Sequence, residues 1–277
     1  MRYIFFGTPN FAAIILEKLI KSSLIPSAVV CNPDRPIGRK KNITPPPTKS
    51  LALHYNIPIL QPEILTNNKL QITNYKPDFF VVAAFSKILS KEILQIPRLG
   101  TIGIHPSLLP KYRGATPIQT AILNGDIETG TTLYLIDEKI DHGAIVANIK
   151  YSISNIKKYE ETLKDLAELS ADLLIKTLPK FKNGEIKPQL QNENESSYTK
   201  KFTSQDGYIE PDILEKAQGG DLKLATDIDR RIRALNPEPG TYTIQNGKRV
   251  KLLEAQIQNG KLRITKLQIE GKKTSSV

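Results

Sequence analysis

YIFFGTPNFAAIILEKLI, residues 3–20, spells a strand, a tight turn and a helix. Tyr3 to Phe6 is a β-favouring run that stops at Gly7, and from Phe11 onward Ile14, Ile15, Leu19 and Ile20 return at helical spacing. The alternation continues outward. Ala28 to Cys31 reads as a second strand, Thr48 to Tyr55 as a helix, and Ile57 to Leu60 as a short strand. Asp78 to Ala84 is a continuous apolar run of the kind buried on both faces of a parallel sheet. Leu89 to Ile96 reads as helix, Gly100 to His105 as strand, Pro117 to Asn124 as helix and Thr131 to Ile136 as strand. Glu160 to Leu178, with Leu163, Leu166, Leu169, Leu173 and Leu174 on one side, is a longer amphipathic helix that closes the first domain. The pattern predicts an α/β fold, a Rossmann-like doubly wound and mostly parallel sheet, whose ligands sit beyond the carboxyl ends of the strands. Gly7-Thr8-Pro9-Asn10 lacks the G-x-G-x-x-G fingerprint, so a nicotinamide or flavin cofactor is not indicated.

Past residue 188 the character changes. Residues 189–203 begin with a polar run, Gln189 to Ser197, and read as a linker between an N-terminal domain, 1–188, and a C-terminal domain, 204–277. After a helical Asp221 to Ala234, the segments Thr241 to Gln245, Val250 to Ile257 and Leu262 to Ile269 alternate as strands do. Asn246-Gly247 and Asn259-Gly260 are hairpin signals between them. A small, shortened, OB-like β-rich domain is expected, because only Gln258-Asn259-Gly260 joins its last two strands.

The longest apolar run, Phe79 to Phe85, is far shorter than the roughly 20 residues of a membrane span, and the first residues read as a strand rather than a signal peptide. A cytoplasmic monomer without membrane attachment is the expectation. One cysteine, Cys31, and three scattered histidines, His54, His105 and His142, offer neither an internal disulfide nor metal-ligand spacing, so no metal is expected. The formal net charge of +11 is the footprint of a polyanionic partner or of a Lys-rich composition. From Asn236 to Val277, eight Lys or Arg stand against three Glu.

His105 leaves an apolar strand and enters Pro106-Ser107-Leu108-Leu109-Pro110, a loop whose prolines fix its path. Ile136-Asp137-Glu138-Lys139-Ile140-Asp141-His142-Gly143 ends another strand with three carboxylates. A doubly wound sheet can bring both points to one crevice, where a histidine beside an aspartate forms an acid/base pair. On these residues alone His105 is either such a group or a structural hydrogen-bonding residue.

The run His105 to Ile118, then Asn124-Gly125-Asp126, Thr129-Gly130-Thr131-Thr132 and Ile140-Asp141-His142-Gly143, resembles the folate-dependent formyltransferases in order and spacing. Phe6 to Phe11, Pro33 to Arg39 and Arg231 to Gly240 are similar to the members of that superfamily that formylate methionyl-tRNA. The resemblance implies transfer of a formyl group from 10-formyltetrahydrofolate to the α-amine of methionyl-initiator tRNA. It also implies that His105 and Asp141 are catalytic and that Ser107, Leu108, Leu109 and Pro110 line the folate site. A sugar-nucleotide N-formyltransferase is the alternative enzyme, and a catalytically impaired tRNA-binding relative the alternative without full activity.

The second alternative arises from Gly103, which stands where the family carries a catalytic asparagine. On the strand it shares a face with His105, and a missing amide donor would lower turnover by about 10²- to 10³-fold. His142 replaces a smaller residue, and Phe85-Ser86 stands where the family has Tyr-Gly. Arg35, Arg39, Lys40 and Lys41, in a Pro- and Gly-bearing loop, and Arg231, Arg233, Lys248 and Arg249 near the C-terminal domain are the expected tRNA contacts; individually each also reads as a solvated charge.

Overall fold

A computed structural model describes residues 1–38, 41–154 and 156–277, which fall into two compact units. Unit 1 comprises residues 1–113, 130–151 and 163–197; unit 2 comprises 114–129, 152–162 and 198–277.

Unit 1 is built on β1 (Tyr3–Gly7), α1 (Asn10–Lys21) and β2 (Ala28–Val30), followed by the hairpin β3 (Arg35–Ile37) and β4 (Asn42–Thr44). α2 (Pro47–His54), β5 (Ile59–Leu60), α3 (Lys69–Asn74), β6 (Phe79–Ala83), α4 (Lys91–Leu94) and β7 (Thr101–His105) continue the alternation. The sheet is completed by β8 (Glu128–Leu135) and β9 (Ile145–Ser152), in the order β5-β2-β1-β6-β7-β8-β9. β1 runs parallel to both β2 and β6, β6 parallel to β7, and β8 antiparallel to β7. This is the doubly wound, mostly parallel sheet that the apolar runs predict. The chain winds out one way through β2 and β5 and then returns to the other side of β1, so the strand order reverses between β1 and β6, the kind of switch point at which such sheets bind ligands.

All five residues of each of β1, β6 and β7 are buried, which is why these runs carry no polar alternation. Helix α1 lays Phe11, Ala12, Ile15, Leu16, Leu19 and Ile20 against the sheet. Phe6, Phe80, Val30, Ile72 and Ile93 belong to the core cluster on one side. The half-exposed β9 and the short hairpin β3–β4 go beyond the sequence reading, because neither carries an apolar run long enough to announce itself.

α5 (Pro117–Asn124), within unit 2, starts on Pro117 and ends on Gly125, whose φ of 69° closes the helix in the left-handed region. The long α6 (Tyr159–Lys182) follows β9. In unit 2, α7 (Pro211–Gly219) and α8 (Leu222–Leu235) cover a four-stranded antiparallel sheet of β10 (Tyr242–Gln245), β11 (Lys248–Gln258), β12 (Lys261–Ile269) and β13 (Ser275–Ser276), arranged in sequence order. Ile228 and Ile232 of α8 meet Val250, Leu252, Leu262 and Ile264 in its core. Both hairpin turns have the positive φ pair expected of Asn-Gly, 50° and 71° at Asn246-Gly247 and 52° and 75° at Asn259-Gly260.

No helix among the described residues is long and apolar enough to cross a membrane.

Candidate active site

His105 is the last residue of β7, 5% exposed, and pairs in register with Thr132 of β8. Its Nε2 lies 2.7 Å from the Tyr112 carbonyl. A carbonyl only accepts, so Nε2 carries a hydrogen and this contact anchors the ring. The other nitrogen, Nδ1, faces Asp141 Oδ2 at 3.4 Å, within ion-pair reach but longer than a well-formed hydrogen bond. The structure therefore brings His105 and Asp141 together, with Nδ1 on the looser side of the ring.

Asp141 has a φ of 48°, the left-handed region that costs a non-glycine residue roughly 1–2 kcal/mol. Its surroundings hold it there. The Gln191 carboxamide donates to the carbonyls of Asp141 and Gly143 at 2.9 and 2.8 Å. At Gly143 a Cβ would collide with the Leu135 carbonyl, so the turn admits only glycine. Gln191 is in turn fixed through its oxygen, which accepts from Arg113 Nη2 at 2.7 Å. The Arg113 guanidinium is fully buried and grips both oxygens of Glu193, at 2.7 and 3.0 Å. That hydrogen-bonded charge holds the Glu193 carboxyl below its ordinary value.

Two of these supports, Gln191 and Glu193, come from residues 189–203, read in sequence as a linker that opens on a polar run. A buried guanidinium needs a carboxylate, and Arg113 finds its partner 80 residues away, a separation that local patterning does not bridge. His142 is occupied as well: Nδ1 lies 2.6 Å from Asp137 Oδ2 and Nε2 3.5 Å from Glu193 Oε1.

The loop after His105 is clasped by two threonines. Thr132 Oγ1 donates to the Ser107 carbonyl at 2.7 Å and accepts from Leu109 N–H at 3.1 Å, while Thr131 Oγ1 donates to the His105 carbonyl at 3.3 Å. Ser107 and Leu109 are buried, and the Ser107 hydroxyl donates to the Lys111 carbonyl at 2.6 Å, so neither side chain points chemistry outward. Leu108 and Pro110 are half-exposed on the loop that follows His105. A rigid backbone with two apolar side chains at its surface fits a flat heteroaromatic ring. Across the sheet, Phe85 packs edge-on against Phe6 at 5.5 Å and Ser86 Oγ accepts from the Asn32 amide at 3.0 Å.

Gly103 does not leave an open space. β7 pairs Gly103 with Tyr134 of β8, and a Cβ at 103 would sit 2.5 Å from Tyr134 Cε1 and 2.9 Å from Ile136 Cγ1. The phenol ring lies where an asparagine side chain would have to begin, and its hydroxyl donates to Asp141 Oδ1 at 2.6 Å. Sequence reasoning found the glycine but missed Tyr134, Tyr112, Gln191 and Arg113. Only the tyrosine had a legible signal, its register opposite the glycine.

Of the basic residues, Arg35 and Lys41 are exposed in unit 1, and Arg39 and Lys40 lie outside the described residues. In unit 2, Arg231 and Lys248 are exposed. Arg249 lies over the Tyr242 ring at 3.5 Å and donates to Ser204 Oγ at 3.1 Å, half-buried. Arg233 is engaged inside unit 2. One turn after Asp229 on α8, it binds that carboxylate at 2.8 Å and the Lys157 carbonyl at 3.1 Å, with only 12% of its side chain exposed.

Comparison with known proteins gives a consistent result. Residues 1–178 match the family model described as formyl transferase, and residues 222–262 that of the formyl transferase C-terminal domain. The chain is 38% identical over 259 residues to a methionyl-tRNA formyltransferase of Chloroflexus aurantiacus, spanning 93% of this chain and 80% of that protein. In fold it is similar to the methionyl-tRNA formyltransferase from Clostridium thermocellum, with a TM-score of 0.63 at 17% identity over 97% of this chain and 98% of that one. It is also similar to WlaRD, a sugar 3N-formyl transferase solved in the presence of dTDP and 5-N-formyl-THF. There the TM-score is 0.62 at 22% identity, over 94% of this chain and 87% of that one.

Proposed function

The chain belongs to the formyl transferase family, and on that premise we propose that it carries a formyl group from 10-formyltetrahydrofolate to the α-amino group of methionyl-initiator tRNA. The observation that carries this reading is the 38% identity to a methionyl-tRNA formyltransferase, which spans 93% of the chain. The family draws on a folate cosubstrate, and here Leu108 and Pro110 would hold it, on the backbone that Thr132 clasps.

The reaction joins the amine nitrogen to the formyl carbon and breaks the bond from that carbon to the folate nitrogen. One amine proton is lost and one proton returns to the leaving nitrogen. The His105 imidazole, anchored through Nε2 and facing Asp141 through Nδ1, stabilises the negative charge that collects on the formyl oxygen as the tetrahedral species forms. Asp141 faces the imidazole through Oδ2, and its carboxylate accepts the proton leaving the amine. Arg113 and Gln191 hold the Asp141 turn in place. Arg35 and Lys41 in unit 1, and Arg231, Lys248 and Arg249 in unit 2, contact tRNA phosphates.

Competition tests this reading. With 10-formyltetrahydrofolate as donor, methionyl-initiator tRNA should be formylated with a kcat/KM at least 100-fold above that for a dTDP-linked amino sugar. The opposite preference would assign the chain to sugar-nucleotide chemistry.

A further inference from the structure

We infer that Tyr134 is a positioning residue of the formyl-transfer site, fixing the Asp141 carboxylate through its phenol, and that Gly103 is the gap in the neighbouring strand that lets the ring reach it. The inference rests on the reading of His105 and Asp141 as the working pair. Three observations carry it. Gly103 and Tyr134 are cross-strand partners, so their side-chain positions compete for one space. An added Cβ on residue 103 would lie 2.5 and 2.6 Å from Tyr134 Cε1 and Cζ, too close for both to keep their places. The hydroxyl at the far end of that ring donates to Asp141 Oδ1 at 2.6 Å, while Oδ2 of the same carboxylate faces His105 Nδ1 at 3.4 Å.

The two carboxylate oxygens thus have separate partners. The terminal torsion of an aspartate is broad, so a carboxylate held at one oxygen only would swing and carry the other away from the imidazole. The phenol removes that freedom. The ring is 6% exposed, and its burial, with the Asp141 charge beside it, keeps the phenol protonated far above neutral pH and hence always a donor. The strand spends a side chain at 103 to obtain an oriented carboxylate next door.

The test compares Tyr134→Phe, Gly103→Ala, their double variant, His105→Ala and Asp141→Asn in steady-state formylation of methionyl-initiator tRNA, with melting curves. Tyr134→Phe removes one oxygen and keeps the ring, and should lower kcat about 10- to 100-fold, the range for a lost hydrogen bond to a charged group. KM for both substrates should stay within about twofold, and melting should change little. Gly103→Ala keeps the phenol but displaces it, and should lower kcat in the same direction. The double variant should fall no further than the worse single one, since both act through one contact. A Tyr134→Phe enzyme with kcat within twofold of the original, or with kcat falling only in step with melting or KM, would overturn the inference. If His105→Ala and Asp141→Asn also retain full activity, the pair itself is at fault; if they lose it, only the role of Tyr134 fails.

Discussion

Gly103 decides how the site is understood. Beside the family's asparagine it looks like a lost tool, yet the Tyr134 ring covers it and no side chain can be built there without moving that ring. Gly103→Asn is therefore expected to lower formylation by about tenfold or more, because the new side chain expels the phenol from Asp141. Steady-state kinetics check this, and a gain in kcat would show that the missing amide is the true deficit. His105 and Asp141 were legible as residue types at strand ends. Their partners were not. Tyr112 acts through its main-chain carbonyl and Gln191 through a carboxamide 50 residues from Asp141, and neither role leaves a mark on local sequence.

Among the elements, the segment around Gln191 and Glu193 shows what polarity can hide. Its glutamate grips a fully buried arginine, and its glutamine pins the turn that carries Asp141. Removing one partner of a buried guanidinium is strongly destabilising, because the charge is left uncompensated. The Glu193 carboxyl is held low by Arg113, so its contribution to stability is fully present above the ordinary glutamate value of about 4.3. It is lost as pH falls through the depressed native value. Glu193→Gln should lower the melting temperature at pH 7 and flatten its decline below about pH 4 relative to the unaltered chain. Parallel declines in both proteins would count against the pairing. Strands β1, β2, β6 and β7 were readable because their apolar runs are buried throughout and have only one use. β9, partly exposed, and the β3–β4 hairpin lack that redundancy.

At the scale of the whole molecule, the +11 charge is not spread evenly in its use. Arg113 and Arg233 are consumed by internal carboxylates, whereas Arg231 and Lys248 stay exposed. Charge counting in sequence treats all four alike; burial separates them. Lys248→Ala should weaken binding of initiator tRNA and reduce the slope of log affinity against log salt by about one. Arg233→Ala should leave that slope unchanged and lower the melting temperature instead, because it breaks contacts inside unit 2. Filter binding at several salt concentrations separates the two, and a reduced slope for Arg233→Ala would return it to the RNA-facing set.

At the centre of the proposed chemistry an imidazole and a carboxylate act as one unit on a formyl carbon. Single-turnover formylation of methionyl-initiator tRNA by the unaltered chain and by Asp141→Asn measures this directly. The substitution keeps the shape of the side chain and removes its charge, and transfer should slow by about 10²-fold or more with tRNA binding intact. Equal rates for the two proteins, or no transfer by the unaltered chain, would contradict the account.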